Sequence, residues 1–390
     1  MDEIRIGLFG LGHRGIHWLQ LIQKIPGYRV TAIGDMFPTL HERGQGALVE
    51  GTKVPVYSEY EDMLNDPNVD AIALVVRAET QGAMAAQALE AGKHVNAEVP
   101  AAHRMEDCWR IVVAAERSGK VYQLADQARY AGHFQAWKTM VHRGDLGKIT
   151  YCEGEYIGYK GTHRYSQDWK TGKFVDIDEL DNYADVRPSW MLCPSIHYLP
   201  HELSPILMIL DDRVVKVTGM GTRVPSYTHP EIQKADIQVA LMHTEKDTIL
   251  RMACGYTIPT PPARDHHHHQ IIGTKGHVES GRTSRDKPKM WLADSQMHDS
   301  ADVDWRRQQT DAPQEVLDSG HQGTDYYVHI AFREALLENK PLEFDVYKAM
   351  DTAAPAILAA DSIDQDSIPL DVPDFRPSEA RPAGQMPAGM

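Results

Sequence analysis

The chain has 390 residues, 42% hydrophobic and 24% charged, an ordinary globular composition with length enough for two domains that each bury a core. A formal net charge of -15 argues against nucleic acid or an anionic membrane as partner, because either needs a basic face to displace counterions. The four cysteines, Cys108, Cys152, Cys193 and Cys254, form no C-x-x-C pair, which removes a disulfide framework and a zinc knuckle from consideration. The chain runs straight into a strand with no cleavable apolar segment, and no run approaches about eighteen apolar residues, so a cytoplasmic protein without a membrane span is expected.

Taken in order, Ile4 to Phe9 is an apolar run of the length of a buried parallel strand. It opens directly into Gly10-x-Gly12-x-x-Gly15 and the helical pattern Ile16, Leu19, Ile22. In that setting Gly10 makes the tight turn, Gly12 lets the backbone approach a pyrophosphate, and Gly15 lets the helix pack close to the strand, with the phosphates at the helix N-terminus. Asp35 ends the next apolar run, Tyr28 to Gly34, where a carboxylate would accept hydrogen bonds from the adenosine ribose. An ordinary glycine-rich turn is the alternative, and it leaves Asp35 unexplained. An acid at that position repels a 2′-phosphate, and Met36, Phe37 and Pro38 offer no cation for one, so the expected cofactor is NAD rather than NADP. The expected cofactor-binding set is Gly10, Leu11, Gly12, His13, Arg14, Gly15, Asp35, Arg77, Gln81, Glu98 and Gln127.

The doubly wound pattern continues with a helical stretch at Leu40 to Val49, a short strand at Val54 to Val56, a helix at Tyr60 to Leu64 and a central strand at Ala71 to Val76. A helix from Thr80 to Ala91 ends at Gly92, and the strand His94 to Ala97 delivers Glu98-Val99-Pro100 at its carboxyl end, where open α/β sheets bind ligands. Helix Met105 to Ser118 and strand Val121 to Ala125 complete the unit. From Gln127 the character changes. Helix Phe134 to Arg143 is followed by alternating strand patterns at Lys148 to Tyr159, Val214 to Gly219, Ile237 to Met242, Thr248 to Ala253, Ile271 to Gly273 and His277 to Glu279. Helices Tyr326 to Asn339 and Val346 to Ser362 close the fold, and a Pro-rich tail reads as an arm or as poorly ordered chain. The fold class is α/β: an N-terminal Rossmann domain (1–126) with a parallel sheet, then an α+β domain (127–370) with an open, mostly antiparallel sheet for substrate and oligomerisation, then the arm (371–390).

These pieces resemble the Gfo/Idh/MocA family of NAD-dependent oxidoreductases. The resemblance rests on the glycine loop, Asp35, Ala88-Leu89-Glu90-Ala91-Gly92-Lys93-His94-Val95, Glu98-Val99-Pro100 and Gly273-Thr274-Lys275-Gly276, which span nearly the whole chain. Dehydrogenases of the family usually have Glu-Lys-Pro, whereas Val99 here replaces the lysine they use near the nicotinamide. Either that chemistry is lost or its acid/base groups lie elsewhere. A narrower resemblance, to the NAD-dependent α-N-acetylgalactosaminidase branch, favours the second option. It runs through Glu98-Val99-Pro100-Ala101-Ala102, Glu106-Asp107-Cys108-Trp109, Glu153-Gly154-Glu155-Tyr156-Ile157, Tyr198-Leu199-Pro200-His201-Glu202-Leu203-Ser204-Pro205, His321-Gln322-Gly323-Thr324-Asp325-Tyr326 and Asp345-Val346-Tyr347. What it implies is a glycosidase that oxidises the sugar at C3, eliminates the aglycone, adds water and reduces again. Gly158 stands where that branch tends to have a histidine, so the branch's particular substrate is not implied.

Such a cycle needs a base that works near neutrality and an acid for the leaving oxygen. His201, at a candidate helix start, is the leading base, with a capping or packed histidine as the alternative; Tyr198, one turn earlier, could relay a proton or be core. Tyr130 follows the last Rossmann strand with Gln127 and Arg129, where the chain crosses between domains, and joins His201 and Tyr198 as the third catalytic candidate. The substrate-binding candidates are Arg129, Tyr156, Lys160, His163, Arg164, His197, His321 and Asp325. Lys160, His163 and Arg164 form a local basic group that could take an anionic sugar substituent or simply be solvated, and Asp325 could be only a helix N-cap. His197 and His201 make H-x-x-x-H, but Pro200 lies between them and no metal is assigned. The run His266 to His269 leads into a strand, where a solvated edge is the simple reading and one or two rings facing substrate the alternative.

The leading expectation is thus a glycosidase with tightly bound, recycled NAD acting on a small carbohydrate. A plain sugar or polyol dehydrogenase is the second reading, and a non-catalytic NAD-binding sensor the third. An open sheet face often pairs with another subunit, so a homo-oligomer is expected, with no nucleic-acid or membrane partner.

Overall fold

The computed structural model describes residues 2–159, 165–168, 174–176, 179, 182, 186–187, 194–230, 232–305, 316 and 319–389. Lys160, His163, Arg164 and Cys193 lie outside the described residues. The chain forms two compact units, one made of Met1–Asp126, Pro313–Met350 and Phe375–Met390, the other of Gln127–Ala312 and Asp351–Asp374.

The first unit is built on six parallel strands: β1 (Ile4–Phe9), β2 (Tyr28–Gly34), β3 (Val56–Tyr57), β4 (Ala71–Leu74), β5 (His94–Ala97) and β6 (Tyr122–Leu124). Their order, β3-β2-β1-β4-β5-β6, is that of a doubly wound Rossmann sheet. Helices α1 (His13–Ile22), α2 (His41–Gly46), α3 (Tyr60–Leu64), α4 (Ala78–Glu90) and α5 (Met105–Ser118) connect the strands. The β1 and β4 side chains are almost entirely buried, which explains why both read as unbroken apolar runs rather than as alternating ones.

The second unit begins with α6 (Gly132–Arg143) and β7 (Ile149–Ile157). A small antiparallel sheet of β8 (Tyr165–Asp168), β9 (Phe174–Asp176) and β10 (Val186–Arg187) follows, then α7 (Pro200–Leu210). The remaining strands are β11 (Val214–Gly221), β12 (Gln238–Thr244), β13 (Ile249–Gly255), β14 (His267–Gly273), β15 (Gly276–Glu279), β16 (Lys289–Leu292), β17 (Ala301–Asp302) and β18 (Leu370–Asp371). With β7 they form a nine-stranded sheet, β17-β16-β15-β14-β7-β13-β12-β11-β18, in which β7 and β13 run parallel and the other pairs antiparallel. Along β7, Cys152, Gly154 and Tyr156 are buried, with the β-carbon position of Gly154 facing Glu202 and Ile206 of α7. Alternation turns Glu153 and Glu155 to the opposite face, where Arg251 bonds both and Arg264 and Arg282 add to Glu155. That face also exposes Met220, Leu241 and Ile249.

Helices α8 (Thr324–Leu337) and α9 (Val346–Asp364) come late in the chain. The backbone of α8 is tied into the first unit by Tyr28, whose hydroxyl donates to the His329 carbonyl at 2.7 Å, and by Gln123, whose amide donates to the Val328 carbonyl at 2.8 Å.

Two expectations are corrected. Three of the four histidines of the run, His267 to His269, lie inside β14, which pairs with β15 on one side and β7 on the other, so they are not on a solvated strand edge. The tail is not poorly ordered. Phe375 is fully buried with its ring 4.3 Å from that of Trp109, and Arg381 pairs with Glu116 at 2.9 Å. Prolines limit regular structure there without preventing a single buried aromatic from docking.

Candidate functional site

In the first unit the glycine loop has the form its sequence demands. Gly10 has φ +106, and a β-carbon on it would lie 2.0 Å from the Val75 carbonyl oxygen; one on Gly15 would lie 1.7 Å from that of Gly10. Neither position tolerates a side chain. At Gly12 nothing lies within 4 Å, so the backbone is open on its outer side at the start of α1. That helix has no side-chain cap, which leaves its first N–H groups facing the position of a pyrophosphate. Asp35, 1% exposed, accepts from the Leu11 N–H at 2.8 Å and the Phe37 N–H at 2.9 Å, fixing the loop against the end of β2. The open loop, the uncapped helix start and the buried acid at the end of β2 fit a dinucleotide such as NAD.

The other expected cofactor residues divide. His13 meets Arg43 at 3.2 Å, and Arg77 turns to Glu79 at 3.0 Å. Gln81 is buried, and its amide nitrogen donates to the carbonyls of Glu98 and Pro100, holding the turn after β5; among the described residues its amide oxygen has no partner. Gln127, buried at the start of the second unit, likewise has an unpartnered side-chain oxygen.

Arg14 is engaged by carboxylates. Its Nε donates to Glu98 at 3.1 Å, and its Nη1 and Nη2 donate to the two oxygens of Asp325 at 2.7 and 2.9 Å. His321 and His17 lie 3.1 and 3.3 Å from the same Asp325 carboxylate. Burial alone would raise the Asp325 pKa, but the bonds from Arg14, His17 and His321 hold it far below the ordinary carboxylate range. The capping alternative for Asp325 is thereby corrected: Gly323 is the N-cap of α8, and the Asp325 carboxylate turns to Arg14. Asp325 and His321, expected at the substrate, thus belong to the first unit beside α1.

The second unit gathers a different group. Pro200 takes the first position of α7, suited by its fixed φ, and the 3-10 turn Ser195–Tyr198 precedes it. This break puts His197 and His201 on different elements, so the regular H-x-x-x-H face is not formed. Among the described residues, no group of three His, Cys, Asp or Glu side chains is arranged to hold a metal ion. His201, half-buried, has the Tyr198 ring stacked at 6.4 Å and the Tyr156 ring edge-on at 6.0 Å. Tyr156 also stacks on His267 at 4.2 Å and meets Tyr256 at 4.8 Å, and burial pushes its phenol well above the usual value. His197 is 5% exposed, and Tyr130 is half-buried at the end of a short 3-10 turn. Arg129, expected at the substrate, is 2% exposed and donates to the Ser204 hydroxyl at 3.1 Å, so it anchors α7.

Sequence reasoning missed the acid of this group. Glu202 is fully buried and bonds His267 Nδ1 through one oxygen, while its other oxygen lies 2.6 Å from His269 Nε2. Burial would raise its pKa, but the two histidines lower it to about 2. His268, on the other face of β14, is buried beside Ser280, and burial lowers it to about 4. The signal was present in the alternation itself, which puts positions 267 and 269 on one face.

Comparison with known proteins agrees with both units. Residues 4–125 match the oxidoreductase family with an NAD-binding Rossmann fold, and residues 132–380 match the glycosyl hydrolase 109 C-terminal domain. A glycosyl hydrolase family 109 protein of Saccharopolyspora erythraea is 25% identical over 96% of this chain and 83% of its own length. One of Porphyromonas gingivalis is 26% identical over 96% and 85%. Among solved structures, a levoglucosan dehydrogenase in complex with NADH and L-sorbose superposes with a TM-score of 0.76 at 16% identity, covering 96% of this chain and 100% of that one. A scyllo-inositol dehydrogenase of Lactobacillus casei with NAD(H) and scyllo-inositol gives 0.70 at 17%, covering 95% and 99%. These structures share the fold. An NAD-binding Gfo/Idh/MocA domain is followed by a glycosyl hydrolase 109 C-terminal domain whose match covers more than half of the chain, and the chain belongs to glycosyl hydrolase family 109.

Proposed function

We propose that the protein is an NAD-dependent glycosidase that keeps its cofactor and works by transient oxidation of the sugar. The observation that carries this reading is the cluster of His201, Tyr198, Tyr156 and the Glu202–His267 pair in a chain whose β5 is followed by Glu98-Val99-Pro100. The second unit thus offers acid/base groups of its own, while the position after Glu98 has none.

NAD, held by Gly10 to Gly15 and Asp35, supplies the hydride exchange that makes and later removes a ketone at C3. His201 takes the proton of the C3 hydroxyl, with Tyr198 as relay and Tyr130 as a further donor. The ketone acidifies the proton at C2 enough for an ordinary side chain to abstract it, and the group at C1 departs by elimination. Water then adds at C1 and the sugar is reduced again. Tyr156 and His197 hold the ring, Arg129 positions α7, and Lys160, His163 and Arg164 would receive an anionic substituent. Asp325 and His321 act through Arg14, which they fix beside the glycine loop. We assign residues 127–370 to substrate binding and oligomerisation, the open sheet face pairing two copies. The free, buried Cys108, Cys152 and Cys254 are consistent with a reducing cytoplasm, and no helix among the described residues is long and apolar enough to cross a membrane.

The test is incubation with aryl glycosides in deuterated water without added NAD. Release of aglycone with deuterium at C2 supports the cycle, and hydrolysis without exchange overturns it. The second reading, a sugar or polyol dehydrogenase, draws on structural neighbours such as the levoglucosan and scyllo-inositol dehydrogenases, and it predicts stoichiometric NADH instead. Binding without turnover across a broad panel of sugars would favour a sensor.

A further inference from the structure

The glycosidase reading needs a proton for the departing oxygen, a demand separate from those at C3 and C2. His201 leaves the oxidation carrying the C3 hydroxyl proton, which the closing reduction must return, so the departing oxygen draws on another group and a second imidazole in the same cluster is the natural place to look. Three histidines of β14 offer themselves, and their environments separate them. His268 is turned to the opposite face beside Ser280, and His269 is 3% exposed with its ring against Phe134 at 4.6 Å. His267 alone keeps a substantial exposure, 38% of its side chain, and stacks on Tyr156, whose ring also meets His201.

We propose that His267, oriented by Glu202, is the general acid/base at the glycosidic oxygen. Glu202 bonds Nδ1, which fixes the tautomer and leaves Nε2 as the working nitrogen. Glu202 is fully buried and remains a carboxylate down to about pH 2, so the orienting charge is present throughout the working range. A buried carboxylate behind an imidazole also steadies the positive charge that forms whenever Nε2 holds a proton. His269 Nε2 lies 2.6 Å from the second oxygen of Glu202 and adds to the charge around it. Tyr156 stacks the ring from one side and fixes its plane.

With the ketone at C3, a base reversibly removes the C2 proton to give an enolate, and the enolate's electron pair then forms the C1–C2 double bond as the C1–O bond breaks. His267 Nε2–H gives its proton to the departing oxygen, which leaves as an alcohol. The neutral Nε2 then takes a proton from water as that water adds to C1, and the C2 carbon regains a proton. His267 ends protonated as it began.

This inference rests on the glycosidase reading, and its test separates the two. The variant His267→Asn is assayed on a series from 4-nitrophenyl to methyl glycosides, with C2 deuterium exchange measured alongside. The expected result is a loss of about 10²- to 10⁴-fold on methyl glycosides and under about tenfold on 4-nitrophenyl glycosides, whose leaving group needs little help. Exchange at C2 continues at the wild-type rate. Small carboxylic acids or imidazole added to the buffer restore part of the lost rate on methyl glycosides. Glu202→Asp, which keeps the charge but shortens its reach, shows the same dependence on leaving group to a smaller degree, as a positioning residue should. Equal losses across the series, or C2 exchange that falls together with hydrolysis, would overturn the role of His267. Absence of C2 exchange in the wild-type enzyme would instead overturn the glycosidase reading, and this proposal with it.

Discussion

Asp325 is 1% exposed and gathers Arg14, His17 and His321 around one carboxylate, so its charge state decides whether α1 and α8 are joined by an ion pair or Arg14 is left with Glu98 alone. Replacing it with Asn should cost about 3 kcal/mol, the usual penalty for removing one partner of a buried pair. The pH dependence has a definite sign. A carboxylate held below its ordinary value contributes stability that is complete above about pH 4 and fades as pH falls toward the folded-state pKa. Urea unfolding of wild type and Asp325→Asn should therefore differ fully at pH 7 and progressively less below about pH 4; a difference independent of pH would show that packing, not charge, is lost. The same residue marks a limit of sequence reading. Gly10, Gly12, Gly15 and Asp35 were legible because the loop and its acid form one local unit. Arg14 and Asp325 lie 311 positions apart, and Glu202 and His267 lie 65 apart, so no local pattern pairs them.

At the scale of the element, β14 shows what periodicity can and cannot deliver. Alternation was enough to separate His267 and His269 from His268. What it could not supply was the strand's place between β7 and β15, since an inner strand and an edge strand have the same period. The fold class was legible for the opposite reason: the apolar runs of β1 and β4 and the alternating pattern of β7 report burial directly. The residue just before β14 depends on its neighbour as well. A β-carbon on Gly158 would lie 1.8 Å from His266 Nδ1, so the imidazole occupies the space of the missing side chain. Gly158→Ala should displace that ring and destabilise the protein by about 1–3 kcal/mol, read as a lower thermal midpoint. Pairing it with His266→Ala, which vacates the space, should recover part of the loss. If the double variant is merely the sum of the two single ones, the packing account fails.

On the scale of the whole molecule, the first unit is assembled from three stretches of chain, and the last of them holds on by Phe375 against Trp109 and by Arg381 with Glu116. Glu116 also accepts from the Tyr347 hydroxyl at 2.9 Å, and the Gly384 N–H donates to it at 2.6 Å, so one carboxylate gathers two late segments. Ending the chain after residue 374 removes a buried aromatic and that ion pair. The expected cost is about 3–5 kcal/mol, set mainly by the lost phenyl ring. Calorimetry should find the NAD-binding unit melting earlier in the truncated protein, with added NAD recovering part of the difference by mass action. Unchanged melting would mean that the tail is only draped on the surface.

That third stretch also bears on how the protein is made. Residues 1–126 leave the ribosome first, yet the unit they build is finished only when the segment from Phe375 onward arrives. At elongation rates of about 5–20 residues per second, the wait is roughly 12–50 s, during which Trp109 is exposed and Glu116 has no arginine. The newborn chain thus passes through an interval in which its nucleotide half exists without its clasp, and synthesis of the segment from Phe375 onward is the event that closes it.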